Sequence, residues 1–160
     1  MKKLLLIILC LPIVVLAQNT YVPDDNFEQK LINLGYDNVL DDSVQTSNIN
    51  TLTTIDLSST SISDVTGIED FSGLIELYCQ DNQLSTIDVS NNINLEKLDC
   101  DANQLSAIDV TANINLKNLQ CSYNNLSSLD ITSNSLLIFL FAGHNQISTI
   151  DVSNNPNLLS

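Results

Sequence analysis

The chain has 160 residues and a formal net charge of −14, with nineteen acidic residues against five lysines and no arginine. That length suits one domain. Its acidity sets aside nucleic acid and the surface of anionic membranes as partners, since both are negative themselves; divalent cations, basic partners or plain solubility are compatible with it.

Residues 1–17, MKKLLLIILCLPIVVLA, read as a signal peptide. Lys2 and Lys3 supply a basic start, an apolar run follows, and Val15-Leu16-Ala17 occupies the positions a signal peptidase reads. The run is too short for a membrane span. Cys10 lies inside it after Leu9, which is not the small residue that lipid attachment calls for. The mature chain then begins at Gln18 with three lysines against nineteen acids, a net charge of −16, and no membrane insertion is expected after cleavage.

Residues 18–51 read as a separate N-terminal element. Asp25 followed three residues later by Glu28 has the form of a capping box. Phe27, Leu31 and Leu34 recur at helical spacing, and Gly35 is a fitting stop, so a short amphipathic helix is predicted over 25–34. Beyond it, YDNVLDD clusters Asp37, Asn38, Asp41 and Asp42 without the spacing, glycine and final glutamate of a calcium loop.

From Leu52 to Ser160 the chain repeats. LIELYCQDNQLSTIDVSNNIN starts at Leu74, LEKLDCDANQLSAIDVTANIN at Leu95, LKNLQCSYNNLSSLDITSNSL at Leu116 and LIFLFAGHNQISTIDVSNNPN at Leu137. The period is 21. An irregular copy precedes them at Leu52, 22 residues before Leu74, with Thr60 in place of the recurrent asparagine. Leu158 opens a fifth 21-residue copy, so about five repeats are counted over 52–160, the last one truncated, and a longer protein is expected.

Each copy reads L-x-x-L-x-C-x-x-N-x-L, which resembles the leucine-rich repeat. With the helix ahead of it, the arrangement resembles secreted bacterial leucine-rich repeat proteins of the internalin-like kind, and the N-terminal caps of some Gram-negative proteins exported by the type IX route. The resemblance implies an α/β solenoid that is mostly β: a right-handed coil with parallel concave strands, short extended or turn segments on the convex side, and an N-terminal capping helix over 25–34. The residues agree with it. Positions 4 and 6 of each copy alternate with polar neighbours, as on one face of a strand. No copy can bury its own leucines, but stacked copies share a continuous core. Strands are expected near 74–79, 95–100, 116–121 and 137–142.

Asn82, Asn103, Asn124 and Asn145 stand just after each strand, where their amides can satisfy backbone groups of the next coil. Cys79, Cys100 and Cys121 share position 6, which points inward; Ala142 fills it in the fourth copy. They are therefore expected to be buried, free thiols. In the second half of each copy, Asp88, Asp109, Asp130 and Asp151 face outward, and Asn92, Asn113, Asn134 and Asn155 turn the chain back.

No catalytic constellation is present: His144, the single histidine, has no cysteine in register with it, and no phosphate loop or HExxH occurs. No cofactor is expected, with Ca2+ the one ion that the acidic clusters would suit. What varies between copies is the exposed strand positions 3 and 5: Glu76 and Tyr78, Lys97 and Asp99, Asn118 and Gln120, Phe139 and Phe141. The candidate ligand-binding residues are Tyr78, Lys97, Asp99, Gln120, Phe139, Phe141 and His144. The expected function is non-catalytic recognition of a protein or glycan on the concave face, by a protein that is secreted or held at the bacterial cell surface. The alternative is the scaffold or targeting portion of a larger extracellular enzyme or adhesin.

Overall fold

Parallel strands one coil apart carry the architecture. The computed structural model describes residues 18–159; the signal-peptide and Cys10 readings fall on 1–17, outside the described residues. In chain order the elements are β1 (Asn19–Tyr21), α1 (Asp25–Leu34), β2 (Ser43–Gln45), α2 (Thr46–Ile49), β3 (Thr54–Asp56), a 3-10 turn (Ile68–Asp70), β4 (Glu76–Tyr78), β5 (Lys97–Asp99), β6 (Asn118–Gln120) and β7 (Phe139–Phe141). β1 and β2 pair antiparallel, while β3 to β7 form one five-stranded parallel sheet in sequence order. Its register is in phase with the repeat: Leu77, Leu98, Leu119 and Leu140 lie side by side. The irregular copy joins the same sheet, Ile55 against Leu77.

The convex segments form neither strands nor helices beyond the single 3-10 turn. Asparagine, aspartate, serine and β-branched residues dominate there and favour local side-chain-to-backbone bonds over a helix. The outward aspartates make such bonds within their own coil. Asp109 Oδ1 accepts from Thr111 N at 2.9 Å and from its hydroxyl at 2.6 Å, and Asp130 does the same with Thr132. These contacts hold the carboxyls of Asp109 and Asp130 below the usual carboxylate range.

The core runs the length of the coil. Leu74, Leu95, Leu116 and Leu137, then Leu77, Leu98 and Leu119, are fully buried, with Val89, Val110 and Ile131 closing it from the convex side. Each leucine removed from water stabilises by about 1.5–3 kcal/mol, available only once a neighbouring coil is in place.

Cys79, Cys100 and Cys121 are buried and unbridged in the middle of this core. Two of the thiols find acceptors: Cys79 Sγ donates to Asp99 O, and Cys100 Sγ to Gln120 O, each at 3.3 Å. Burial pushes all three thiols well up, Cys121 to about 12. They therefore stay protonated and unreactive at neutral pH.

Two asparagine ladders close the coil at its corners. In the first, Asn103 Nδ2 donates to Cys79 O (3.0 Å) and Cys100 O (3.1 Å), and its Oδ1 accepts from Leu84 N at 3.0 Å. Asn82, Asn124 and Asn145 repeat the pattern. In the irregular copy the Thr60 hydroxyl donates to Leu57 O at 2.6 Å in the asparagine's stead. The second ladder exceeds the turn role read from the sequence. Asn92, Asn113, Asn134 and Asn155 are buried, each Nδ2 bridging two carbonyls of the preceding coils, such as Val89 O and Asn92 O for Asn113 (3.0 Å each).

At the N-terminal end α1 packs over the first coil, with the Phe27 and Phe71 rings stacked at 6.1 Å. Its start differs from the capping box expected at Asp25 and Glu28. Asp24 is the N-cap, accepting from Asn26 N (2.9 Å) and Phe27 N (3.1 Å). Its other oxygen takes Ser63 N, the Ser63 hydroxyl and Asp64 N, tying the helix to the first coil. Glu28 turns inward instead. Fully buried, it accepts from the backbone N–H groups of Asp41, Asp42 and Ser43 at 2.9–3.1 Å. Leu34, expected on the apolar face, is exposed; Phe27 and Leu31 carry the burial. Gly35 ends the helix in the left-handed conformation as expected, at φ 82°.

Candidate functional site

The concave sheet presents two rows of outward side chains, set by the strand register. One row is Thr54, Glu76, Lys97, Asn118, Phe139; the other is Asp56, Tyr78, Asp99, Gln120, Phe141. Six of the seven candidate residues lie in these rows. Neighbouring members stand about 4.8 Å apart, the spacing of paired strands.

The face is polarised along the solenoid. At the β7 end Phe139 and Phe141 are 43% and 51% exposed. They flank Leu140, which packs against the core, so alternation forces both rings outward. Next to them come the uncharged Asn118 and Gln120. One strand further, the surface turns ionic. The Lys97 ammonium sits 4.4 Å above the centre of the Tyr78 ring, a cation–π contact, and the Tyr78 hydroxyl donates to Glu76 Oε2 at 3.0 Å. Lys117, at the flank, is engaged with Glu96 at 2.8 Å.

Asp99 is only 8% exposed, the most enclosed of the candidate residues. Burial raises its carboxyl above the ordinary range, and Asp101 and Asp81 push it further up; the Asp101 N–H and Lys97 oppose this only in part. Asp101 is raised as well, by burial and by Asp81, against the Ser122 N–H and hydroxyl that bond it. Three carboxylates thus repel one another at the rim where the strands turn.

His144 is not in the rows. It stands on that rim, in the turn after β7, and its ring stacks on Tyr123 at 4.1 Å and 11°. Tyr123, 58% exposed, is a surface aromatic that the strand pattern missed. The signal was in the repeat: Asp81, Ala102, Tyr123 and His144 share one position, and all adopt the left-handed conformation at φ 52–56°. That reversal sends the next residue, the ladder asparagine, into the core and throws the preceding ring or carboxylate to the rim.

Elsewhere, a convex depression of about 330 Å3 carries Asp64, Glu69 and Asp88. Each of these already accepts from backbone within its own turn, from Thr66, Gly67 and Ser90 respectively. Asp41 and Asp42 of the YDNVLDD stretch are organised by their N–H groups around Glu28. Among the described residues no three His, Cys, Asp or Glu side chains are grouped to hold a metal ion, and no helix is long and apolar enough to cross a membrane.

No protein-family model matches the chain. Internalin J of Listeria monocytogenes serotype 4b is 39% identical over 74 residues, 46% of this chain and 8% of that protein. Among solved structures, the functional domain of InlJ from Listeria monocytogenes, described as including a cysteine ladder, is similar at 38% identity and a TM-score of 0.81. The match covers 89% of this chain and 32% of that one. InlF from the same species (18% identity, TM-score 0.67, 86% of this chain and 48% of that one) shares the fold. So does a leucine-rich repeat protein of Leptospira interrogans (23%, TM-score 0.66, 71% and 31%). The chain spans less than a tenth of the curated relative's length and about a third of the solved InlJ domain.

Proposed function

We propose that this internalin-like leucine-rich repeat solenoid is an exported, non-catalytic recognition module that binds a protein or glycan ligand on its concave face. Phe139 and Phe141 anchor the ligand, and Gln120, Asp99, Lys97 and Tyr78 select it. The carrying observation is the pair of phenylalanine rings, about half exposed on one face beside an otherwise polar sheet. Aromatic side chains supply large contact area at low conformational cost and dominate the energetics of interfaces. Export is supported by the composition of residues 1–17, and a non-catalytic role by aspartates that are bonded to their own backbone rather than paired for acid–base work. His144, stacked on Tyr123, adds to the rim of the same surface.

A second reading, the scaffold or targeting portion of a larger extracellular enzyme or adhesin, is favoured by the small share of its relatives' length that the chain spans. One experiment separates them. The chain and its Phe139→Ser/Phe141→Ser variant are applied to arrays of extracellular proteins and of glycans, and their melting temperatures are compared. The recognition reading expects specific binding by the parent, loss of that binding in the variant and a nearly unchanged melting temperature. Unchanged binding with lowered stability gives the rings a packing role and overturns it.

A further inference from the structure

We propose that the ligand of the concave sheet is a polypeptide segment that pairs an apolar side chain with a lysine or arginine about 10 Å away, the apolar group over Phe139 and Phe141 and the cation against Asp99, Asp101 and Asp81. This deepens the concave-face reading and rests on it.

The spacing follows from register. Phe141, Gln120 and Asp99 are consecutive members of one row, so the rings and Asp99 are two strand spacings apart, about 10 Å. The charge imbalance is equally local. The two rows and their rim carry Asp56, Glu76, Asp81, Asp99 and Asp101; Lys30 acts on Asp56 at the far strand, and the ammonium beside Asp99, Lys97, is already held over Tyr78. Asp99 is enclosed, yet among the described residues its carboxylate takes one hydrogen bond, from Asp101 N at 3.4 Å. The sheet therefore holds a charge that its own cations leave uncompensated. A basic side chain arriving there gains attraction in a partly desolvated place and relieves the mutual repulsion of the three carboxylates. The uncharged Asn118 and Gln120 separate the two subsites and offer amides to a backbone crossing between them. A metal ion fits less well, because among the described residues these carboxylates do not converge on one point. A polypeptide supplies both an apolar and a cationic group, whereas a neutral glycan supplies no cation.

The test uses rigid probes. In a polyproline helix residues three apart share a face at about 9.3 Å, so the peptide Pro-Pro-Phe-Pro-Pro-Arg-Pro-Pro, with blocked ends, presents both groups at the required distance. Titration into the chain is followed by chemical shifts or polarisation, beside controls with Glu for Arg and Ala for Phe. The arginine peptide is expected to bind roughly tenfold more tightly than the glutamate peptide. The isosteric Asp81→Asn/Asp99→Asn variant, its fold checked by melting temperature, is expected to lose that discrimination, and Phe139→Ser/Phe141→Ser to lose both peptides. If both peptides bind equally and only the phenylalanine variant abolishes them, the cation subsite is wrong and the concave-face reading stands. Binding indifferent to both variants overturns the two together. No binding of either peptide at millimolar concentration overturns the cation–apolar pairing, and the array experiment then decides the recognition reading.

Discussion

Asn103 is the residue whose loss tests the architecture most directly. Replacing it by alanine removes the only acceptor of the buried Leu84 N–H, because Asn103 Oδ1 is that donor's partner. The three carbonyls it serves fare better, and Asp101 O, which it reaches at 3.2 Å, keeps the Asp81 N–H at 3.0 Å. Cys79 O still receives from Asn82 Nδ2, and Cys100 O from Asn124 Nδ2, each at 3.0 Å. An orphaned buried donor costs about 1–3 kcal/mol, and a net hydrogen bond about 1 kcal/mol. Asn103→Ala is therefore expected to cost about 3 kcal/mol, a melting-temperature drop of roughly 6–12 °C for a domain of this size. Asn145 is the internal control. It makes the equivalent bonds to Leu126 N and Cys121 O but is only partly buried, so water replaces much of what alanine removes and the expected cost is about 1 kcal/mol. Asn103→Asp keeps the shape and reverses the chemistry, setting a carboxylate against three carbonyl oxygens, and is expected to be worse than alanine. Urea titrations followed by far-UV circular dichroism measure all three. A cost below 1 kcal/mol for Asn103→Ala, or a smaller cost for aspartate than for alanine, refutes the ladder as described.

Other residues give sharper local tests. Cys100→Ala is expected to cost about 1 kcal/mol or somewhat more, as a small truncation in a packed core, and thiol reagents are expected to label the native chain only at the rate at which it opens; rapid labelling of all three cysteines contradicts their placement. Glu28→Gln points an NH2 at one of three backbone donors and is expected to cost about 2–3 kcal/mol in a thermal melt; an unchanged melt contradicts that placement. Burial alone would raise Asp24, but the N–H and hydroxyl of Ser63 with the N–H groups of Phe27 and Asp64 outweigh it, so its folded carboxyl lies below the unfolded value. Its stabilisation is then present above about pH 4 and lost as pH falls through the lowered folded value. Asp24→Asn is accordingly expected to destabilise at pH 7 and to differ little from the parent near pH 2; equal destabilisation at both would deny the carboxylate its role. Gly67, at φ 103°, would place a Cβ 2.6 Å from Tyr21 O, so Gly67→Ala is expected to cost more than about 2 kcal/mol in urea titration and to expose the N-terminal end to proteolysis.

The sequence by itself determined the solenoid, because one period of 21 imposes one inward set on the four regular coils: leucine at the first and fourth positions, a thiol or the methyl of Ala142 at the sixth, asparagine at the ninth. A strand face and a core register follow from such repetition without any long-range information. The same logic identified the outward rows, and with them Tyr78, Lys97, Asp99, Gln120, Phe139 and Phe141. What it missed depends on where atoms from different coils meet. Asp24 and Glu28 sit at the expected end of the helix, but their partners are Ser63 and residues 41–43, 39 and 13–15 positions away in the chain. A local capping rule has no access to those partners. Asn92 and its three equivalents read as turn residues because the carbonyls that hold them lie in the preceding coil, 21 and 24 residues back. The enclosure of Asp99, the seating of Lys97 on Tyr78 and the stacking of His144 on Tyr123 are likewise products of side chains 19 to 21 residues apart brought within contact. The repeat dictates that such neighbours exist. Only the folded coil, through desolvation and the reach of each side chain, decides which of them carry an unbalanced charge or an uncovered ring.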